Sequence, residues 1–216
     1  MKRASFTPII PVLFILLFLS SLAPAQELKR IDLPKPRMEG GKPLMRALKD
    51  RSSSREYSSK KLPMQVLSDM LWAAWGINRE DGKRTAPSST NRQEIDVYVA
   101  MAEGLYLYNA QDNTLEQVLA KDIRAITGKQ DFVKDAPVNL IFVANYSKMG
   151  DGTDQQKAVT SGMDTGFISQ NVYLYCASEG LATVVRGWVD KPALEKAMGL
   201  RPDQKVVLAQ TVGYPK

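Results

Sequence analysis

Apolar runs and short polar breaks divide this chain before any single residue is considered. Ile9 to Leu22 is apolar apart from Ser20 and Ser21. Lys2 and Arg3 precede that run and Ala23-Pro24-Ala25 follows it, the layout of a secretory signal peptide cleaved to leave Gln26 first. Its uninterrupted core, Pro11 to Leu19, is far shorter than the roughly 20 residues of a spanning helix, which disfavours a membrane anchor. Residues 26–42 carry Pro34, Pro36, Gly40 and Gly41 and read as an extended arm. Residues 43–216 read as one domain.

Within that domain the pattern predicts a mixture of elements. Pro43 to Lys49 is a short helix with Pro43 in its first turn. From Leu62 to Trp75 apolar residues recur as Val66/Leu67, Met70/Leu71 and Ala74/Trp75, the spacing of a helix with one buried face, which Gly76 can end. Trp72 and Trp75 then belong to the core. Ile95–Met101 and Gly104–Tyr108 flank the turn Ala102-Glu103-Gly104 and read as a hairpin. The spacing of Leu115, Val118/Leu119, Ile123 and Ile126 predicts a helix over 115–127, with a short one around Gln130 to Lys134. Val138–Ala144 is a continuous apolar run and so a central strand. Lys157 to Glu179 has no Pro and is followed by Gly180, which predicts a helix long enough to cross the domain. Val172 to Ala177 is apolar nearly all round, which predicts burial on every side, in the core or against a second subunit. Leu181–Trp188 and Val206–Val212 read as strands around a helix over Lys191–Met198. With no regular βαβ repeat, the fold class is α+β.

Composition narrows the chemistry. Removing the first 25 residues leaves 191, enough for one full core. The formal charge of +6 falls by two with Lys2 and Arg3, and no Lys/Arg block remains, so nucleic acid is disfavoured as a partner. The chain has no His and a single Cys. That excludes Ser-His-Asp and Cys-His catalysis, His-ligated metal sites and an intrachain disulfide. Cys176 reads as an inert core thiol. No Gly-x-Gly-x-x-Gly is present, and Gly76…Gly82-Lys83-Arg84 lacks the glycine spacing and Ser/Thr of a phosphate-binding P-loop. An enzyme with this inventory would take its reactive chemistry from an organic cofactor.

Two polar stretches are candidates for holding one. Asp50 to Tyr57 places Arg51 and Arg55 around Ser52, Ser53 and Ser54. The two guanidinium groups can converge on one anion, for which phosphate is the best match; the alternative is a Ser-rich surface turn. Arg84 to Gln93 contains Pro87, Ser88, Ser89, Thr90 and Asn91. It reads either as a solvated turn before a strand or as a rigid polar rim around a flat, heteroatom-rich ligand.

Taken in order, these motifs resemble the FMN-dependent nitroreductase family. Arg51-Ser52-Ser53-Ser54-Arg55 resembles its opening Arg-x-Ser-x-Arg/Lys motif, and Pro87 to Gln93 its second loop. Asp164-x-Gly166 and Gln170-Asn171, running into Gly180–Gly187, resemble its third; Leu208–Pro215 is similar to its final strand. Leu71–Ile77 with Arg84–Ser88 is closest to the SagB-type dehydrogenase branch. The match spans about residues 44–216. It implies an α+β homodimer: a mostly antiparallel or mixed sheet flanked by helices, one long helix buried, and FMN at two sites between subunits. By that resemblance Arg51, Ser52, Ser53 and Arg55 hold the ribityl phosphate. Pro87, Ser88, Ser89 and Asn91 reach the flavin from the partner subunit. Val185, Arg186 and Gly187 lie along the ring, with the Gly187 backbone near the redox-active nitrogen, and Gln130 is a further polar contact. Lys216 is the only cation beyond the last strand, where the family carries a Lys or Arg that closes on the phosphate.

The implied activity is oxidoreduction, from a small-molecule donor through FMN to a quinone, nitroaromatic or similar acceptor. A flavin that shuttles hydride also suits a chain without His. The alternative is a dimer that binds flavin or a related heterocycle without turnover. Two departures from the family stand out. Arg186 takes a place often acidic or neutral, and a cation beside the ring would stabilise reduced, anionic flavin. The azole-forming enzymes of the SagB-type branch use a further Lys-Tyr pair that no motif here places, so azoline oxidation is not assigned. Export would leave FMN to be acquired outside the cytoplasm, where nicotinamides are scarce; a membrane quinol or a partner protein is then the expected donor.

Overall fold

The computed structural model describes residues 28–216; the expected signal peptide and the start at Gln26 lie outside the described residues. Among the described residues, seven strands form one sheet: β1 (Arg30–Asp32), β2 (Ile95–Met101), β3 (Gly104–Asn109), β4 (Thr114–Leu119), β5 (Val138–Asn145), β6 (Ala182–Arg186) and β7 (Gln204–Gly213). Their order is β1-β4-β3-β2-β5-β7-β6, and every pairing is antiparallel. Helices α1 (Leu44–Asp50), α2 (Met64–Trp75), α3 (Asp154–Glu179) and α4 (Lys191–Met198) flank it, so the expected α+β class and helix-flanked sheet hold.

β5 is buried at all of its residues because both faces of the sheet are covered. Alternate side chains serve the two faces. Leu140 and Phe142 join Val97 and Val99 beneath Leu67, Met70, Leu71 and Trp75 of α2 and Ile168, Val172 and Cys176 of α3. Ile141 and Val143 pack on the opposite face with Leu194 and Met198 of α4. Cys176 is fully buried, and burial pushes its thiol pKa up, as expected for an unreactive core thiol.

Three expectations are corrected. The helix over 115–127 is absent: Thr114–Leu119 is strand β4, followed by a short 3-10 turn at Arg124–Ile126. Leu115 packs with the α2–α3 core, whereas Val118, Leu119 and Ile123 pack on the α4 side, so these residues share no face. Pairing with β3 on one side and β1 on the other outweighs the helical spacing. α3 starts at Asp154, earlier than the apolar pattern indicates, because Thr153 and Gln156 cap it reciprocally; it ends at Gly180 in the left-handed region, φ +69°. Its second half is not buried all round. Val172, Tyr173 and Cys176 point inward, while Leu174, Tyr175 and Ala177 are half-buried.

Residues 30–32 add the edge strand β1, and Arg37 docks the following segment through two bonds to Asp69, N to Oδ1 at 2.9 Å and Nε to Oδ2 at 2.8 Å.

Candidate functional site

Two polar clusters are built on α3. They are anchored at Tyr173 and Asp164, nine residues apart and therefore about 14 Å along the helix axis.

The first cluster forms where α1 ends. The Arg51 N–H bonds the Ala47 carbonyl, and the chain then runs extended beside β6, the last strand of the sheet. Ser54 N donates to Thr183 O at 2.9 Å. The Tyr173 hydroxyl accepts from Val185 N at 3.0 Å and bonds Ser53 Oγ at 2.8 Å, while the Arg51 guanidinium lies 5.3 Å from the Tyr173 ring centre. One phenol thus fastens the serine loop to the edge of the sheet. Sequence reasoning missed Tyr173; its only signal is an aromatic with a polar tip on an otherwise apolar helix face. Tyr173→Phe is expected to cost about 1 kcal/mol of stability, because the Val185 N–H and Ser53 lose their shared partner. Thermal unfolding measures it, and an unchanged Tm would deny the hydroxyl this role.

The C-terminus joins the same cluster. Tyr57 bridges Pro215, and Ser58 N donates to Tyr214 O at 2.9 Å. Arg55 and Lys216 consequently line one open groove of about 480 Å³ together with Glu56, Tyr57, Phe132 and Asp135. Ser52, Ser53, Arg55 and Lys216 are exposed and Arg51 is half-buried. Among the described residues, none of the three cations belongs to an ion pair.

β6 runs past the serine loop to Gly187. Thr183 O and Val185 N face the open edge, so the ladder's alternation turns the Gly187 N–H to that edge as well. Gly187 itself is exposed. Val185 is half-buried on the α3 face of the strand, beside Tyr173. The Arg186 side chain goes the other way. It is 4% exposed and donates from Nε to Thr211 Oγ1 at 3.0 Å, from Nη1 to Thr127 O at 2.8 Å and from Nη2 to Asn139 Oδ1 at 2.9 Å. All three acceptors are neutral, and burial pushes its pKa down to about 10. Arg186 is therefore a pinned interior cation rather than a free one at the strand edge. A Cβ on Gly128 would stand 1.8 Å from Arg186 Nη1, so only glycine fits beneath it. Gln130 Oε1 is close by, buried and without a partner.

The second cluster is the loop before β2. Arg84 clamps its base, with Nη1 on Trp75 O at 2.7 Å, Nε on Gln93 Oε1 at 2.8 Å and the guanidinium 4.7 Å from the Trp75 ring centre. Ser88 Oγ accepts from Gln93 N at 3.0 Å, and Ser89 N donates to Asp164 Oδ2 at 2.9 Å. Thr90, Asn91 and Gln93 all sit at positive φ, +49°, +54° and +49°. Non-glycine residues there cost roughly 1 kcal/mol or more each and persist only where their surroundings hold them. Pro87, Ser89 and Asn91 are exposed and Ser88 half-buried. The loop is thus strained, clamped and outward-facing, a polar rim on the surface of the chain. Among the described residues, no hydrogen bond or ion pair joins this rim to the Arg51–Arg55 cluster.

Residues 48–214 match the Nitroreductase family. The chain belongs to the nitroreductase family. It is similar to MJ1384, a nitroreductase by name, from Methanocaldococcus jannaschii: 33% identical over 147 residues, 63% of this chain and 74% of that protein. A crystal structure from Ralstonia eutropha JMP134, described as a nitroreductase, superposes with a TM-score of 0.82 at 44% identity, covering 87% of this chain and 90% of that one. A nitroreductase structure in complex with FMN, from Desulfovibrio desulfuricans, shares the fold at a TM-score of 0.60 and 21% identity, covering 81% and 87% of the two chains. The family matches the activity expected from the motifs, oxidoreduction by a flavoprotein.

Proposed function

We propose that this nitroreductase-family protein is an exported, FMN-dependent oxidoreductase that works as a homodimer. One observation carries the reading. The Arg51–Arg55 loop lies along the end of β6, where Gly187 opens to solvent, and the C-terminal Lys216 shares a groove with Arg55. Cations without acid partners, serine hydroxyls and an outward N–H suit a phosphate joined to a flat heterocycle. The orphaned, buried Gln130 Oε1 beside that strand end is one more polar group for such a ring to meet. FMN is also what the Desulfovibrio desulfuricans relative holds.

In this reading Arg51, Ser52, Ser53, Arg55 and Lys216 bind the phosphate, and Val185 and Gly187 position the ring. When bound, the flavin supplies hydride and electron transfer between a reduced donor and a quinone-like or nitroaromatic acceptor. The protein's part is to bind and orient it and to set its electrostatic surroundings.

A second copy completes the site. Val159, Met163 and Phe167 are 59%, 57% and 50% exposed at four-residue intervals along α3, and Leu44, Met45 and Leu48 of the adjacent α1 are exposed too. Exposed apolar side chains of this kind on a helix pair fit a symmetric interface. It would bring the partner's Ser88–Asn91 rim to the Arg51–Arg55 cluster, which the chain's own rim does not reach. Within the family we place the protein nearest the SagB-type branch, on Leu71–Ile77 and the Arg84–Ser88 segment clamped to it. The signal-peptide pattern of residues 1–25 supports export and, with it, a quinol or protein donor.

The absorption spectrum of the mature protein, residues 26–216, after incubation with FMN and desalting, tests this. Oxidised-flavin bands retained on a species that elutes as a dimer, bleached by a reductant and restored by a quinone, are the expected result. Loss of all flavin on desalting would overturn the cofactor assignment and leave a family member that binds something else.

A further inference from the structure

Behind the polar rim is a group that nothing so far explains. Glu94 follows Gln93 directly and enters β2, where its carbonyl accepts from Asn145 N at 2.9 Å. Its side chain is 0% exposed, and neither carboxyl oxygen has a hydrogen-bond partner. Asp164 of α3, itself 3% exposed, is the acid beside it, close enough for a carboxyl–carboxylate hydrogen bond once one of the two carries a proton. Asp164 is also the residue whose Oδ2 holds the Ser89 N–H.

A buried carboxylate with no partner costs several kcal/mol, and a second carboxyl beside it adds to that cost; taking up a proton removes both. The surroundings offer little relief. Arg92, in the same loop, is exposed and attracts Glu94 weakly. Lys148, on the turn after β5, is engaged by Gln93 O and Asp96 Oδ1. Lys157, on α3, lies against the Tyr146 ring and carbonyl. The buried, protonated state is thus the one the geometry favours.

We propose that Glu94 is a positioning residue for the Ser88–Asn91 rim. As a neutral acid it lets Asp164 keep its hold on Ser89, and its ionisation sets two buried charges against each other beneath three residues already at positive φ. The rim then loosens from α3. This assignment rests on the proposed FMN site only in what the rim does for a ligand; the coupling between Glu94, Asp164 and the rim stands without it.

Burial chiefly, with Asp164 second among the side chains, pushes the Glu94 pKa up to about 7. The raised value means that the folded state holds the proton longer than the unfolded chain does. The stabilisation is complete below the ordinary glutamate pKa of about 4.3 and is lost as pH rises through about 7. The chain has no His, and burial carries the Cys176 thiol upward, away from that window. Among the described residues, Glu94 is a carboxyl raised into the range between pH 5 and 8.

The test is a pH series on wild type, Glu94→Gln and Glu94→Ala, read two ways. In the apo protein, the wild-type Tm should fall by roughly 5 °C or more between pH 5 and 8, and that of Glu94→Gln should stay flat. In FMN titrations, wild-type affinity should drop about tenfold over the same range, and Glu94→Gln should hold the low-pH affinity throughout. Glu94→Ala, which leaves a cavity, should be destabilised but equally flat in pH. Parallel profiles for wild type and Glu94→Gln would overturn the proposal. If neither protein binds FMN, the cofactor reading fails while the Tm profiles still decide the role of Glu94.

Discussion

Arg51→Ala and Arg55→Ala are each expected to weaken FMN binding by about 1.5–3 kcal/mol, roughly 10- to 150-fold in Kd. The size follows from what these side chains lack. Neither is in an ion pair among the described residues, so neither charge is already committed when a phosphate arrives. Arg55 is exposed, and its loss should move thermal stability by less than about 0.5 kcal/mol. Arg51 also covers the Tyr173 ring, so its removal should cost somewhat more, on the order of 0.5–1 kcal/mol. Flavin fluorescence titrations alongside Tm measurements separate binding from folding. Arg55→Lys should restore only part of the affinity, since an ammonium cannot offer the planar fork of a guanidinium. Unchanged Kd values in both alanine variants would remove this loop from the cofactor site.

Much of the candidate site was legible because its motifs are local. Arg51 to Arg55, Pro87 to Gln93 and Val185 to Gly187 are short segments whose residue types alone suggest a phosphate, a rim and a strand end. The apolar periods of α2, α4 and β5 were equally plain, since each packs on core with the spacing its geometry demands. What stayed hidden depends on contacts across the chain. Tyr173 earns its place through Ser53 and Val185, 120 and 12 residues away. Glu94 is unusual only because α3 closes over it and brings Asp164 along.

β4 shows how local spacing misleads. Leu115, Val118, Leu119, Ile123 and Ile126 fit a helical stripe, yet the polar Ala110–Asn113 turn, with Asn113 at φ +53°, returns the chain antiparallel onto β3. Two flanking strands then take its backbone groups. Arg186 misleads in another way. Its position beside Gly187 suggested a cation at the ring, but alternation along β6 turns its side chain to the far face. A strand's facing is set by which residue lies on the edge, and that is known only once the pairing is.

Arg186 also supports the second large prediction. Asn139→Leu is expected to destabilise the protein by about 3–5 kcal/mol. Asn139 Oδ1 accepts from Arg186 Nη2 at 2.9 Å and from Thr211 Oγ1 at 2.6 Å, while its Nδ2 donates to Val133 O at 2.7 Å, all in the interior. Leucine fills the volume but strands a guanidinium that has no carboxylate to fall back on. Arg186→Met, by contrast, removes the charge together with its desolvation cost, and should be near neutral or cost no more than about 2 kcal/mol. The double variant should therefore be more stable than the two single effects predict by at least about 1 kcal/mol, because the penalty in Asn139→Leu is mostly the abandoned charge. Urea unfolding of the four proteins measures that coupling. Strict additivity would mean that Asn139 is costly for its own bonds alone, and that the cation behind Gly187 is held by Thr127 and Thr211 without it.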